Sequence, residues 1–273
     1  MKPSARQSDK GILKAEAGLQ KFSLMRYEPA EDLAPFIEHY WTVRWDLRGQ
    51  APHRQTILSY PNVNISFERE NGGTFAGVYG IPEETYTRHL EGEGAVLGIK
   101  FRAGGFYPFW KRPVSGLSGQ ILSLPAVFGE GGAQWERQMF AMGGEEQMVR
   151  LTEQFLRERA PEMDGNLELI GQIVRDVADH RDMTKVEDIV TRFGVNKRTL
   201  QRLFSRYVGV SPKWIIQRRR LQEAAELMEK GSSLNWPKLA QDLGFYDQAH
   251  FIKTFKAMIG KSPEEYVREA GIL

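Results

Sequence analysis

VNKRTLQRLFSRYVGVSP (residues 195–212) and YDQAHFIKTFKAMIGKSP (residues 246–263) are two copies of one pattern, offset by 51 positions (195 to 246). Asn196 and Asp247 take the same place in each, and both are side chains that cap a helix by accepting a backbone N–H of its first turn. Leu200 and Phe251 follow four residues after the cap, and Phe204 and Phe255 come one turn later. Each copy also closes alike, Gly209, Ser211 and Pro212 answering to Gly260, Ser262 and Pro263. An enzyme rarely needs two such units in one chain, whereas a protein reading two neighbouring major grooves of one duplex does.

Outward from these copies, everything after Gly165 has helical periodicity, and seven helices fit. Leu167, Ile170, Ile173, Val174 and Val177 mark the first; Val186, Ile189 and Val190 mark the second, which stops at Gly194. Asn196 caps the third, expected over 196–207. Ser211 and Pro212 open a long fourth helix, because Ser caps well and Pro suits the first helical turn. Asn235 caps a short fifth, Asp247 caps the sixth over 247–258, and Ser262 with Pro263 opens the last. The result is an all-α domain over 166–273, two helix-turn-helix units joined by a long helix.

The first half follows a different period. Short apolar and β-branched runs punctuated by Gly and Pro predict strands at Tyr40 to Trp45, Gln55 to Ser59, Val63 to Phe67, Thr74 to Tyr79, Tyr86 to His89 and Val96 to Phe101. Six short strands at this spacing predict a small barrel or sandwich over 22–132. Flanking helices are expected at Glu31 to Glu38 and after Gly104 and Gly105. A helical period returns between Ala133 and Ala160, with Met148, Leu151, Phe155 and Leu156 on one face, so 133–165 reads as a packing strut or a dimer seam. Residues 1–21 are polar and expected to be mobile. The fold class expected is therefore α+β in two domains.

Composition sets bounds. With 41% hydrophobic and 26% charged residues the 273-residue chain is that of a globular protein. No cysteine is present, which removes disulfides, thiolate metal sites and cysteine nucleophiles. His39, His53, His89, His180 and His250 are scattered without metal-ligand spacing, so no metal and no cofactor are expected. No signal-like or membrane-spanning apolar run is found, so the expectation is a cytoplasmic protein with no membrane partner. The net charge of +2 hides an uneven distribution. From Asn196 to Gln222 the charged residues are Lys197, Arg198, Arg202, Arg206, Lys213, Arg218, Arg219 and Arg220, with no acid among them. Solvated helix faces normally mix signs, and a single-sign run points to phosphate, with Lys197, Arg206, Lys213 and Arg218 as candidates.

With Leu200, Leu203 and Phe204 turned inward, the opposite face of that helix carries Arg198, Gln201, Arg202 and Ser205. Arg can bond guanine O6 and N7, and Gln can pair with adenine N6 and N7. Arg198, Gln201 and Arg202 are thus base-reading candidates and Ser205 a phosphate candidate. The same geometry on the second copy presents Gln248, Ala249, Ile252 and Lys253, a less polar face suited to thymine methyl contacts. In the first half, Tyr40, Trp45, Phe67, Tyr79, Tyr86 and Phe101 could line an effector pocket, although strands in a small barrel need such side chains for core.

Val195 to Phe204 followed by Gly209, Val210, Ser211 and Pro212 resembles the first unit of the AraC/XylS family of bacterial transcription regulators. Leu243 to Phe251, continuing to Phe255, Lys256, Gly260, Ser262, Pro263 and Tyr266, resembles that family's second unit, and Arg220, Leu221, Ala224 and Ala225 fit the joining helix. The resemblance covers roughly residues 166–273, with Asn196 where Ser is common at the cap. It implies two recognition helices in successive major grooves, about 34 Å apart along one face of DNA. It adds His250 and Lys256 to the phosphate candidates and gives His250 no catalytic role. Glu38 to Trp41, Ile57 to Phe67, Gly77 to Gly80, Val96 to Phe101 and Gly104 with Gly105 resemble an uncharacterised cupin-like sensor domain that often accompanies such regulators.

The leading expectation is a transcription regulator rather than an enzyme. Its candidate partners are double-stranded promoter DNA, a small-molecule effector, RNA polymerase and a second copy in a homodimer. One alternative is a ligand-independent regulator whose N-terminal domain is an interaction scaffold. Another is a DNA-repair enzyme with a regulatory tail, against which the lack of a nucleophilic thiol stands.

Overall fold

The computed structural model describes residues 19–57, 60–82, 85–159, 164–229 and 235–269. The segment expected to be mobile over 1–21 lies outside them except for its last three residues. Among the described residues there are eight strands: β1 (Ser23–Tyr27), β2 (Ile37–Asp46), β3 (His53–Ile57), β4 (Asn64–Glu70), β5 (Gly73–Tyr79), β6 (Tyr86–Leu90), β7 (Glu93–Phe101) and β8 (Ile121–Leu122). All six expected strands appear with shifted ends; β1 and the two-residue β8 are additions. The helix expected at Glu31 to Glu38 is only a pair of overlapping turns, with Leu33 and Ala34 both donating to Ala30 O. Pro35 lacks the N–H a continuing helix needs, and from Ile37 onward the chain pairs with β7.

The expected barrel is not closed. β1-β2-β7-β4-β5-β8 form one antiparallel sheet, while β3 and β6 pair with each other as a separate two-stranded sheet. β8 ends early because Ser123 caps the next helix, α2 (Leu124–Ala141), whose first turn contains a proline with no N–H to give a ladder. Strand alternation then divides the large sheet into two faces. Tyr40, Ile65, Phe67, Leu97 and Ile99 share one face, as their cross-strand register shows. It is covered by α2 and α3 (Glu145–Arg157), separated at Gly143 and Gly144. Trp135 stacks on Phe155 at 4.0 Å and meets Phe67 edge-on at 4.9 Å. The stretch read as strut or dimer seam therefore contributes to this core, where Trp135, Met139, Val149, Phe155 and Leu156 are buried.

The short helix α1 (Tyr107–Trp110) and a turn of tight helix at Val114–Leu117 lead toward the C-terminal half. There α4 (Gly165–Asp179), α5 (Val186–Phe193), α6 (Lys197–Leu203), α7 (Pro212–Glu229), α8 (Trp236–Asp242), α9 (Gln248–Ile259) and α10 (Pro263–Glu269) follow. They enclose two cores. The second half of α7 packs with α8, α9 and α10 around Leu221, Phe251, Phe255 and Tyr266. Around α4, α5, α6 and the start of α7, the other core is completed by Ile81 and Ala103 of the N-terminal domain.

His39 on β2 offers a test of this packing. Burial, reinforced by the nearby Lys100 ammonium and opposed by Glu38, pushes its ring down to about 4. The unfolded ring titrates near about 6.5. Protonation in that window therefore favours the unfolded chain, and stability should fall as pH drops from about 6.5 to about 4, by an amount on the order of a few kcal/mol. Urea unfolding between about pH 7 and about pH 4.5 should show this loss, and His39→Gln should flatten it.

Candidate nucleic-acid interface

Each copy of the repeated pattern forms a capped helix after a glycine turn. Gly194 (φ 63°) ends α5 in the left-handed conformation, and Asn196 Oδ1 accepts from Thr199 N at 2.8 Å to start α6. Gly244 (φ 73°) serves the same purpose after α8, and Asp247 Oδ1 accepts from His250 N at 2.7 Å at the head of α9. Leu200, Leu203 and Phe204 face inward on the first, Phe251, Phe255 and Met258 on the second. A wider helical turn extends α6 through Val208, where Gly209 (φ 95°) donates to Phe204 O at 2.8 Å.

The base-reading candidates gather on these helices. Arg198, Gln201 and Arg202 are all exposed on α6. On α9, Ala249 and Lys253 are exposed while Gln248 and Ile252 are half-buried, Ile252 packing against the core beneath. Sequence reasoning did not single out Tyr246, which is 92% exposed immediately before the Asp247 cap. Its only signal in the sequence is that position.

The phosphate candidates do not stay together. Lys197, Lys213 and Lys256 are exposed, Lys197 with its ammonium 2.7 Å from Glu187 Oε1. Ser205 Oγ lies 3.2 Å from Ser115 Oγ, and Arg206 donates through Nε to the Tyr107 hydroxyl, so both touch the N-terminal domain. His250 packs edge-on against Phe245, with ring centroids 5.6 Å apart. Arg218 is only 6% exposed, its guanidinium 3.4 Å from the centre of the Tyr60 ring. Burial pulls its pKa down, while Tyr60 and then Glu38 oppose the shift.

Arg218 is one of three arginines that leave α7 in different directions. Arg219 donates to the carbonyls of Arg181 and Met183 at 3.3 Å. Arg220 donates to Leu243 O at 2.6 Å and to Gly244 O, with its guanidinium over the Phe245 ring. The end of the basic run thus braces the turn that launches α9 rather than presenting a charged surface. Sequence could not separate these roles, because a buried arginine and a phosphate-facing one read alike.

The six aromatic residues read as an effector pocket do not form one. Tyr40, Phe67 and Phe101 belong to the helix-facing core, and Trp45 lies in a small cluster with Phe22, Leu47, Leu90 and Val96. Tyr79 is half-buried and Tyr86 is 39% exposed. A cavity of about 150 Å³ lies between the sheet and α2 and α3, lined by Thr42, Arg44, Phe67, Leu97, Phe140 and Met148 among others. Phe67 alone of the six reaches it. Glu68, with 7% exposure, accepts from Ser66 Oγ at 2.7 Å and Tyr79 OH at 2.6 Å, and pairs with Arg88 at 2.6 Å. Arg88 belongs to β6, so this cluster ties the two sheets together. Among the described residues no group of three acids or histidines is placed to hold a metal ion, and no helix is long and apolar enough to cross a membrane.

Residues 189–269 match the family described as Helix-turn-helix domain, and residues 25–123 match one described as Domain of unknown function (DUF6597). The uncharacterized HTH-type transcriptional regulator YfiF of Bacillus subtilis is 35% identical over 79 residues, covering 29% of this chain and 24% of that protein. The HTH-type transcriptional regulator MtrA of Neisseria gonorrhoeae is 30% identical over 103 residues, covering 37% of this chain and 34% of that protein. The chain thus spans about a quarter to a third of the length of these relatives. A probable AraC family transcriptional regulator from Rhodopseudomonas palustris has a solved structure that is 25% identical, covers 38% of this chain and 97% of its own, and gives a TM-score of 0.35. The C-terminal domain is an AraC-type helix-turn-helix domain, and relatives of the chain are AraC/XylS-family regulators. The N-terminal domain is of a type whose function is unknown.

Asp247→Ala should remove the α9 cap and cost about 1 kcal/mol, with Asp247→Asn close to wild type. Thermal unfolding of the full chain reads this directly; equal loss in both variants would assign the effect to charge rather than to capping.

Proposed function

We propose that this protein is a sequence-specific, double-stranded DNA-binding transcription regulator. Two helix-turn-helix units, α5 with α6 and α8 with α9, lay α6 and α9 into successive major grooves, and α7 joins them. One observation carries the reading: two helices begin with the same cap and core contacts, and both present an exposed face in the turns that enter a groove. Arg198, Gln201 and Arg202 form the more discriminating face, since each can make directed bonds to base edges. Ala249, Ile252 and Lys253, with Gln248 at the edge, read fewer hydrogen bonds and more methyl groups. Lys197, Lys213, Lys256 and the exposed Tyr246 supply backbone contacts. Ser205, Arg206 and His250 join them only as far as their contacts with Ser115, Tyr107 and Phe245 permit, and Arg218 joins them only if the N-terminal domain moves.

The N-terminal domain is the controlling part on this reading. A small-molecule effector would sit between the two sheets, where Tyr79, Tyr86 and Arg88 come together over Glu68. The tie between β4, β5 and β6 is what such a ligand would rearrange. The scaffold alternative keeps the same DNA surface without a ligand.

Arg202→Ala should weaken binding to a duplex selected by the wild-type chain by about 1–3 kcal/mol and relax preference at one base pair. Fluorescence anisotropy on the selected duplex and on a scrambled one checks it. Equal weakening on both would place Arg202 on phosphate.

A further inference from the structure

The far ends of both proposed reading helices are held by the N-terminal domain. At α9, Thr85 donates its backbone N–H to Met258 O at 2.9 Å and its hydroxyl to Ile259 O at 2.8 Å. Those carbonyls lie in the last turn of the helix, where acceptors have no intrahelical partner. At the end of the α6 extension, Ser118 Oγ donates to Gly209 O at 2.9 Å, and Ser115 meets Ser205. A Cβ on Gly209 would stand 3.0 Å from Val114 O, so the two backbones are in direct contact there.

These two points of contact are not independent. Gly119 N donates to Ile81 O at 2.9 Å, and Gly80 N donates to Gln120 O at 3.0 Å. A Cβ on Gly80 would collide with the Leu117 carbonyl, so only glycine allows the two loops to lie this close. Both loops grow from the same ladder, in which Val78 pairs with Leu122 and Tyr79 with Ile121. Residues 80–82 and 114–120 therefore form one platform against the end of the α6 extension, and Thr85, directly before β6 of the same domain, carries the contact to the end of α9. The exposed faces of Arg198, Gln201, Arg202, Ala249 and Lys253 lie nearer the N-terminal ends of those helices and are not part of the grip.

We propose that this platform is a gauge that sets the separation between α6 and α9, with Thr85 and Ser118 as positioning residues. The proposal rests on the two-helix DNA reading above. On it, the N-terminal domain contributes to specificity through the spacing of the two half-elements and touches no base. The joining helix α7 connects the two helical cores at one side, and the platform braces them from another. Each neutral hydrogen bond in the grip favours its own separation by a factor of about two to ten, enough to prefer one separation without forbidding its neighbours.

The test is selection of binding sites by the full-length chain from a pool of randomised duplexes, read by sequencing. Wild type should recover two conserved blocks at a single separation. The Thr85→Val, Ser118→Ala double variant should recover the same blocks, with the share of sites one base pair off that separation raised roughly tenfold, as two lost hydrogen bonds imply. Thr85→Ser alone, which keeps the hydroxyl, should retain the wild-type distribution. An unchanged single separation in the double variant, with its thermal midpoint close to wild type, overturns the gauge. Loss of either block in that variant also overturns it, because the loops would then be building a reading helix rather than placing it. If wild type recovers no conserved sequence at all, the two-helix reading itself has failed, which is a different result.

Discussion

Three consecutive guanidinium groups on α7 hold the C-terminal half in register. Successive residues on a helix point about 100° apart, so Arg218, Arg219 and Arg220 cannot share a face. Arg218 goes to the Tyr60 ring of the N-terminal domain, Arg219 to the carbonyls of the loop between α4 and α5, and Arg220 to the turn before α9. Burying a guanidinium is unfavourable unless its donors and its charge are met. Backbone carbonyls, an aromatic face and neighbouring polar side chains such as Gln222 and Glu223 meet part of that requirement here. Removing any one partner would leave a costly buried donor, which explains why these contacts fix where the elements around α7 lie.

The N-terminal domain applies the same economy with a carboxylate. Glu68 is buried on the sheet face away from α2 and α3, with Ser66, Tyr79 and Arg88 all directed at it. An apolar core of Trp135, Phe155 and Phe67 holds the helices to one face, while this charged tie holds β6 to the other. β3 and β6 form a sheet of their own, so this tie stands where a closed barrel would have a ladder.

Much of this was legible in the sequence. Periodicity, the Asn196 and Asp247 caps and the glycines before them located the C-terminal helices, because those signals are local. Six strands were legible for the same reason. β1 and β8 were not: β1 carries Arg26 among its apolar residues and exists by pairing with β2, while β8 is two residues beside β5. The Glu31 to Glu38 turns show the converse, a helical spacing overruled by Pro35 and by the pairing of Ile37 with Phe101. The exposed faces of α6 and α9 followed from helix geometry once the core positions were known.

By itself, then, the sequence determined the helices, their caps, the polar faces they present and the family of the C-terminal domain, since each depends on neighbours within a few residues. Tertiary structure alone decided which cations remain on the surface. Lys213 and Arg218 belong to one basic run, yet one is exposed and the other lies beneath Tyr60, a residue far away in the chain. It also decided that the sheet stays open and that Thr85 and Ser118 meet the ends of α9 and α6. Such contacts join residues distant in the chain, and no local pattern encodes them.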